Sequence, residues 1–256
     1  MPKLASKFLA VLAATAVVAA PPANADDIKV LSAGAYRQVL EAMTPDFEKR
    51  TGHKLAVDRG TVGQLMKRVE DGEAFDLVVV TPAGIEKLIA GGHVAPGTLK
   101  PLARVGIGVM VKEGAAKPDV STVEAFKKTL LAAKSVAYND PKSGASSGIY
   151  TAQLLDKLGI SDQIKPKAKL KQGGLVAELV ISSEAEIGVQ QISEIIPVKG
   201  VAFAGPLPKE IQNYTTYAAG IGAKAKNAGA ARALLDALSG PGAAAELKAK
   251  GMEPPG

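Results

Sequence analysis

Short apolar runs alternate along the chain with segments whose apolar residues recur every three or four positions. Residues 28–31, 55–58 and 77–80 read as strands. The run 77–80 is apolar throughout, as expected of a strand covered on both faces. Between these lie helical patterns. One spans 36–50, with Val39, Leu40, Met43 and Phe47 inward and Gly52 past its end. The next spans 63–71, with Leu65, Met66 and Val69 inward and Gly72 beyond. A third, 85–90, stops at Gly91-Gly92. This βαβαβα order predicts a parallel sheet with helices on both faces.

The alternation continues with a strand at 105–111 and a helix to 133, opened by a capping box at Ser121-Thr122-Val123-Glu124. A strand at 135–138 leads through Asp140–Tyr150, a loop of hydroxyls and glycines, into a helix. That helix has Tyr150, Leu154, Leu155 and Leu158 on one side and Gly159 at its end. Strand, helix and strand follow at 165–171, 175–182 and 186–190. Strands at 201–204 and 214–221 come next, then a helix capped by Asn227 and a last one opened by Pro241. Turn-rich text at 114–118 and 205–208 suggests two lobes. Residues 26–104 and 206–256 would form the first, and 105–205 the second.

The first 25 residues read as a leader, not as fold. Lys3 and Lys7 precede an apolar stretch, 8–20, and Ala23-Asn24-Ala25 offers a small-residue cleavage site. The stretch is too short to span a bilayer. With no cysteine at the cleavage site or elsewhere, neither a lipid anchor, a disulfide nor a thiolate metal site is expected. The expected compartment is the periplasm. Net charge is +6, with lysines scattered and no tryptophan. Nucleic acid is therefore a poor partner, and a small anion a better one.

Gly144-Ala145-Ser146-Ser147-Gly148 spells G-x-S-x-G, so a serine hydrolase using Ser146 is one functional class. A nucleophile elbow needs a histidine later in the chain. The only histidines, His53 and His93, lie upstream beside glycines. No zinc-spaced ligand cluster, Walker A pattern or complete dinucleotide fingerprint occurs, so neither a metal nor a cofactor is expected. What recurs is a strand, a small-residue loop and a helix, at 32–36, 60–63 and 143–148, with Gln172-Gly173-Gly174 before another helix. Such loops present backbone N–H groups at helix N-termini, where an anion is favoured. Facing each other at the strand carboxyl ends of two lobes, they would enclose a small anion without catalysing a reaction. Lys165, Lys167, Lys169 and Lys171 alternate, either as an edge strand guarded against aggregation or as a rim that steers anions.

Taken in order, these loops with Phe75-Asp76-Leu77-Val78-Val79 and Ala185-Glu186-Ile187-Gly188-Val189 resemble the molybdate-type periplasmic substrate-binding proteins of ABC transporters. The resemblance covers essentially the whole chain after the leader. It implies an α/β, type II periplasmic binding fold: two doubly wound lobes joined by a hinge, with the ligand cleft between them. It also implies a monomeric, non-enzymatic receptor that captures molybdate or tungstate and delivers it to a membrane permease and its ATPase.

Site residues carry over by motif. The family's first-loop serine falls at Gly34, leaving the amides of Gly34 and Ala35. Its second-loop serine pair becomes Thr61-Val62. In the third loop Ser146 stays and Ser147 replaces an alanine. A fourth-loop amide falls at Gly173, and the family's tyrosine falls at Gln191. With donors so redistributed, and with Tyr36, Gln190 and Gln191 able to reach further, a small carboxylate is the alternative ligand.

Overall fold

The computed structural model describes residues 27–256, so the predicted leader lies outside the described residues. The first sheet has the order β2-β1-β3-β10-β4. Its first half is β1 (Asp27–Ala33), α1 (Gly34–Thr51), β2 (Lys54–Gly60), α2 (Val62–Glu70), β3 (Leu77–Val80) and α3 (Pro82–Ala90). β1 pairs in parallel with β2, from Asp27 opposite Lys54 to Ala33 opposite Gly60, and in parallel with β3. The chain then runs through β4 (Lys100–Val105) into β5 (Ile107–Lys112), α4 (Val123–Ala132), β6 (Val136–Asn139) and α5 (Ser146–Lys157). After α6 (Ser161–Ile164) come β7 (Ala168–Lys171), α7 (Ala177–Ile181), β8 (Ile187–Gln191) and β9 (Val201–Pro206). These strands make a second sheet, ordered β7-β6-β8-β5-β9. β10 (Thr215–Ile221), α8 (Ala228–Ser239) and α9 (Ala243–Ala249) return to the first.

Neither sheet is purely parallel, as the alternation alone predicted. β10 runs antiparallel to β3 and β4, and β5 antiparallel to β8 and β9. The reason is topological: a strand that crosses from the other lobe need not obey the crossover rule of a βαβ unit.

Period-two alternation gives each sheet two buried faces. On β1, Ile28 and Val30 pack with Tyr36, Val39 and Leu40 of α1 and with Leu234 and Leu238 of α8. Leu31 on the opposite face packs with Leu65, Val78, Val80 and Ile85 under α2 and α3. The second sheet is covered in the same way by two clusters, around Phe126, Leu130 and Leu154 and around Met110, Ala137 and Val180. Each such aliphatic side chain contributes roughly 1.5–3 kcal/mol on burial, so both lobes have cores of their own.

The predicted strand at 105–111 is broken at Gly106, and its halves belong to different sheets. There the Gln212 side chain lies against Gly106. It accepts from Ile107 N at 2.7 Å and donates to Ile107 O at 2.9 Å. The return segment between β9 and β10 is thereby clasped to the outgoing one, and both passages between the sheets sit together.

Two local readings are corrected. The cap of α4 is Thr122, whose hydroxyl accepts from Ala125 N, so Ser121 is not the capping residue. The lysine row is not one strand either. Lys165–Lys167 is a single 3-10 turn ahead of β7, because Pro166 cannot supply a ladder N–H. Lys165 pairs with Asp162 and Lys171 with Glu178, while Lys167 donates to the carbonyls of Leu131 and Ala133. These contacts tie down the end of the lobe.

Candidate functional site

Four strands end at one place. The carboxyl ends of β1 and β2 meet those of β6 and β8 across the gap between the sheets, around a cavity of about 30 Å³. Three helices begin at the same spot: α1 at Gly34, α2 at Val62 and α5 at Ser146. The N-terminus of α2 is capped internally. Thr61 Oγ1 accepts from Gln64 N at 3.1 Å, and the Gln64 side chain accepts from Thr61 N at 2.9 Å. Neither α1 nor α5 has a side-chain cap, and neither carries an acid in its first turn. Their Ncap residues, Ala33 and Ala145, have no side chain able to satisfy the first N–H groups. One uncapped, electropositive helix end from each lobe therefore faces the cavity.

Six of the ten residues predicted for the site line this cavity: Gly34, Ala35, Thr61, Val62, Ser146 and Gln191. The other four lie behind or beside it. Tyr36 is buried in the core of the first lobe. Ser147 is 1% exposed, and its hydroxyl is directed to Asn139 Oδ1 at 3.4 Å. Gln190 donates to Asn139 Oδ1 at 3.1 Å and to Gly174 O at 2.9 Å, and accepts from Val176 N at 2.8 Å. These bonds fix the loops before α5 and α7 from behind. Gly173, at φ +91°, has room for no β-carbon without crowding Thr61 Cγ2 at 3.0 Å, and its neighbour Gly174 takes the place at the cavity.

The remaining lining includes two groups that motif reasoning missed, Glu194 and Tyr217. Glu194 belongs to a 3-10 turn, Ile192–Glu194, which follows β8 and packs on α1. Its carboxyl lies over Gly34, where an added β-carbon would stand 2.7 Å from Oε1. It is 6% exposed. Burial pushes its carboxyl up to about 8 from the ordinary 4.5, the nearby Gln190 side chain opposing this in part. Tyr217, on β10, accepts from Gln191 Nε2 at 3.0 Å, and the Ser146 side chain lies near its hydroxyl. Burial, then the neighbouring Glu194 charge, raises its phenol, so it stays protonated. Among the described residues no cationic side chain lines the cavity. The sequence signal for Glu194 was its isolation: one acid in the otherwise uncharged run 187–198.

The lobes are closed on each other. Thr61 Oγ1 donates to Ser143 O, Gly63 N donates to Gly144 O at 3.1 Å, and Gln64 Nε2 reaches Gln172 O at 3.4 Å. A cavity of about 30 Å³ holds a water or two, so a ligand enters only when the lobes part. A groove of about 560 Å³ runs outside it between Thr81–Ala83, Asn213–Thr216 and α5, and the two spaces share Ser146.

An elbow at Ser146 lacks its base. His53 stacks on Phe47, with ring centroids 6.4 Å apart, and His93 lies beside Gly91 at the far end of α3. No group of three or more metal-ligating side chains occurs among the described residues.

Two α/β lobes with a cleft at strand ends and helix N-termini define a type II periplasmic binding fold. The chain belongs to the family described as bacterial extracellular solute-binding protein, whose pattern it matches over residues 28–253. An aconitate isomerase of Pseudomonas sp is 34% identical over 260 residues, covering 99% of this chain and 97% of that protein. The molybdate-binding protein ModA of Azotobacter vinelandii is 29% identical over 251 residues, covering 94% and 95%. The solved structure of an Azotobacter vinelandii periplasmic molybdate-binding protein superposes with a TM-score of 0.76 at 22% identity, over 90% of this chain and all of that one. The chain is thus a solute-binding protein that shares its family and fold with molybdate-binding relatives.

Proposed function

We propose that the protein is a monomeric periplasmic receptor that closes on a small polycarboxylate and delivers it to an ABC importer, a permease with its ATPase. The observation that carries this reading is Glu194, a buried carboxyl over Gly34 at the open end of α1. A metal oxyanion such as molybdate is served by donors alone. Here the first loop has given up the hydroxyl that the family resemblance would place at Gly34, and a carboxyl fills that space. While protonated, Glu194 donates one hydrogen bond to a carboxylate, and the uncapped ends of α1 and α5 supply others. Each charge-assisted bond contributes roughly 1.5–3 kcal/mol. The outer groove, with Thr81, Asn213 and Thr216 along it, has room for the rest of an organic acid.

The test is a thermal-shift panel of molybdate, tungstate, sulfate, phosphate, citrate and cis- and trans-aconitate, followed by calorimetry. A polycarboxylate that raises the melting temperature while molybdate does not is the expected result. Stabilisation by molybdate alone would restore the oxyanion reading.

A second reading is favoured by the same residue. A carboxyl with its ionisation near neutrality, enclosed beside a phenol, suits proton transfer, and a relative of similar length is named an aconitate isomerase. On that reading the cleft also converts what it binds.

A further inference from the structure

Glu194 and Tyr217 reach the cavity from different elements, the turn after β8 and the strand β10. They lie close enough for the charge of one to act on the other. Both are buried, and neither takes part in an ion pair among the described residues. Their surroundings hold them in place. Gly34 leaves the space that the Glu194 carboxyl occupies, and Gln191 bonds the Tyr217 hydroxyl, with Ser146 beside it. A purely structural carboxyl would be expected to face a cation or several backbone amides. This one faces the cavity in which the ligand binds.

Resting on the polycarboxylate reading, we infer that Glu194 is the proton-transferring group of an isomerisation carried out in the closed cleft. The substrate class is an unsaturated polycarboxylate with a CH2 between a carboxylate and a C=C bond. The ionised Glu194 takes a proton from that carbon. The electron pair left behind spreads across the double bond into a carboxylate oxygen, which the amides at the start of α1 or α5 stabilise. Glu194 then returns the proton to the far alkene carbon. The double bond has moved by one position and can re-form in either geometry. No atom is gained or lost, no carbon skeleton bond breaks, and no oxidant is needed. Tyr217 remains protonated and donates to the same developing charge. Ser146, at the start of α5 in the other lobe, lies beside its hydroxyl, which couples that donation to closure.

The experiment uses the purified mature chain and trans-aconitate in deuterated buffer. Proton NMR follows both cis-isomer formation and loss of CH2 signal, while calorimetry follows binding. The wild type is expected to bind, exchange and isomerise. Glu194→Gln is expected to bind within about threefold but to lose turnover by about 10²–10⁴-fold, the usual contribution of a positioned acid–base group. Glu194→Asp keeps the carboxyl but draws it back, and is expected to retain exchange at a rate lowered tenfold or more. Should the Gln variant fold poorly, the Asp variant decides. A Gln variant with turnover within tenfold of wild type, or an Asp variant at the wild-type rate, overturns the assignment. Binding without exchange or isomerisation in the wild type overturns it too and leaves the receptor reading intact. Absence of binding removes the polycarboxylate reading itself.

Discussion

Glu194 occupies the volume that a side chain at residue 34 would need: a β-carbon on Gly34 would lie 2.7 Å from Oε1 of the carboxyl. The two residues are 160 positions apart and come from different elements, the start of α1 and the turn after β8 that packs on it. A serine at 34 therefore requires the buried Glu194 carboxyl to shift. Gly34→Ser is expected to cost about 1–3 kcal/mol through overpacking and to weaken ligand binding at least tenfold. Adding Glu194→Ala should recover most of the stability, because the side chain that clashes is gone. The coupling read from a double-mutant cycle is expected to exceed about 1 kcal/mol. Additive single effects would mean that the carboxyl moves aside without cost.

The same carboxyl sets a pH dependence. Its folded-state pKa is raised to about 8 from 4.5 because burial disfavours the charge. The unfolded chain gives up this proton at the lower pH, so between the two values the unfolded state binds fewer protons. Stability therefore falls as pH rises through that window and levels off above it. The slope is at most roughly 1.4 kcal/mol per pH unit, which amounts to something on the order of 3 kcal/mol by pH 7. Carboxylates shifted the other way act below the window. Glu73 is held down to about 2 by hydrogen bonds from Arg68 and then Lys29, and its contribution is lost as pH falls toward that value. Urea midpoints at pH 5, 6, 7 and 8 should decline for the unliganded wild type and stay flat for Glu194→Gln. Parallel curves for the two would rule out Glu194 as the source.

Closure brings two backbones into contact. A β-carbon on Gly63 would stand 2.8 Å from Gly144 Cα, and one on Gly144 would stand 2.5 Å from Gly63 Cα. Since backbone atoms cannot swing away, Gly63→Ala should hold the lobes apart. Its site is in a helix, where alanine is otherwise favoured, so the unliganded protein should keep its stability. The expected result is binding weakened tenfold or more, with a radius of gyration by X-ray scattering that no longer contracts on adding ligand. A variant that still contracts and binds normally would show that the contact is not part of the bound state.

Much of the architecture could be read from the chain because it depends on local pattern. The strand Leu77–Val80 and the helix stop at Gly159 follow directly from apolar runs and a glycine at φ +67°. The small-residue loops also pointed to the cleft, since a helix that starts at Gly34 or Ser146 without a capping side chain is visible in the letters. What local pattern could not provide is which residues meet across the cleft. The motif match chose Ser147 for its hydroxyl. Helix phase turns that side chain toward Asn139, and Ser146 toward the cavity. Glu194 and Tyr217 belong to no motif. They become site residues only through the return of β10 to the first sheet and the turn that packs on α1.

That difference between adjacent serines can be measured. Ser146→Ala removes a hydroxyl that lines the cavity beside Tyr217, and is expected to weaken binding about fivefold or more. Ser147→Ala removes a buried hydroxyl while Asn139 Oδ1 keeps its bond from Gln190, so the cost should be about 1 kcal/mol of stability with affinity unchanged. Calorimetry and urea unfolding on both variants separate the roles. A loss of affinity in Ser147→Ala but not in Ser146→Ala would reverse them.

Binding and turnover should respond to pH in opposite directions. An anionic ligand favours the protonated form of Glu194, since a neutral carboxyl donates to a carboxylate and an ionised one repels it. Among the described residues Tyr217 is the one other titratable side chain on the cavity, and it is held protonated, so Glu194 sets the profile. Affinity is expected to be constant below about pH 8 and to fall tenfold per unit above it. Proton abstraction needs the ionised form. If the cleft isomerises its ligand as inferred, that fraction in the unliganded protein governs kcat/KM, which should rise tenfold per unit toward about pH 8 and then level off. Measured together, a falling affinity and a rising kcat/KM with a shared midpoint would assign both to one carboxyl. Two profiles that rise and fall together would place the proton elsewhere.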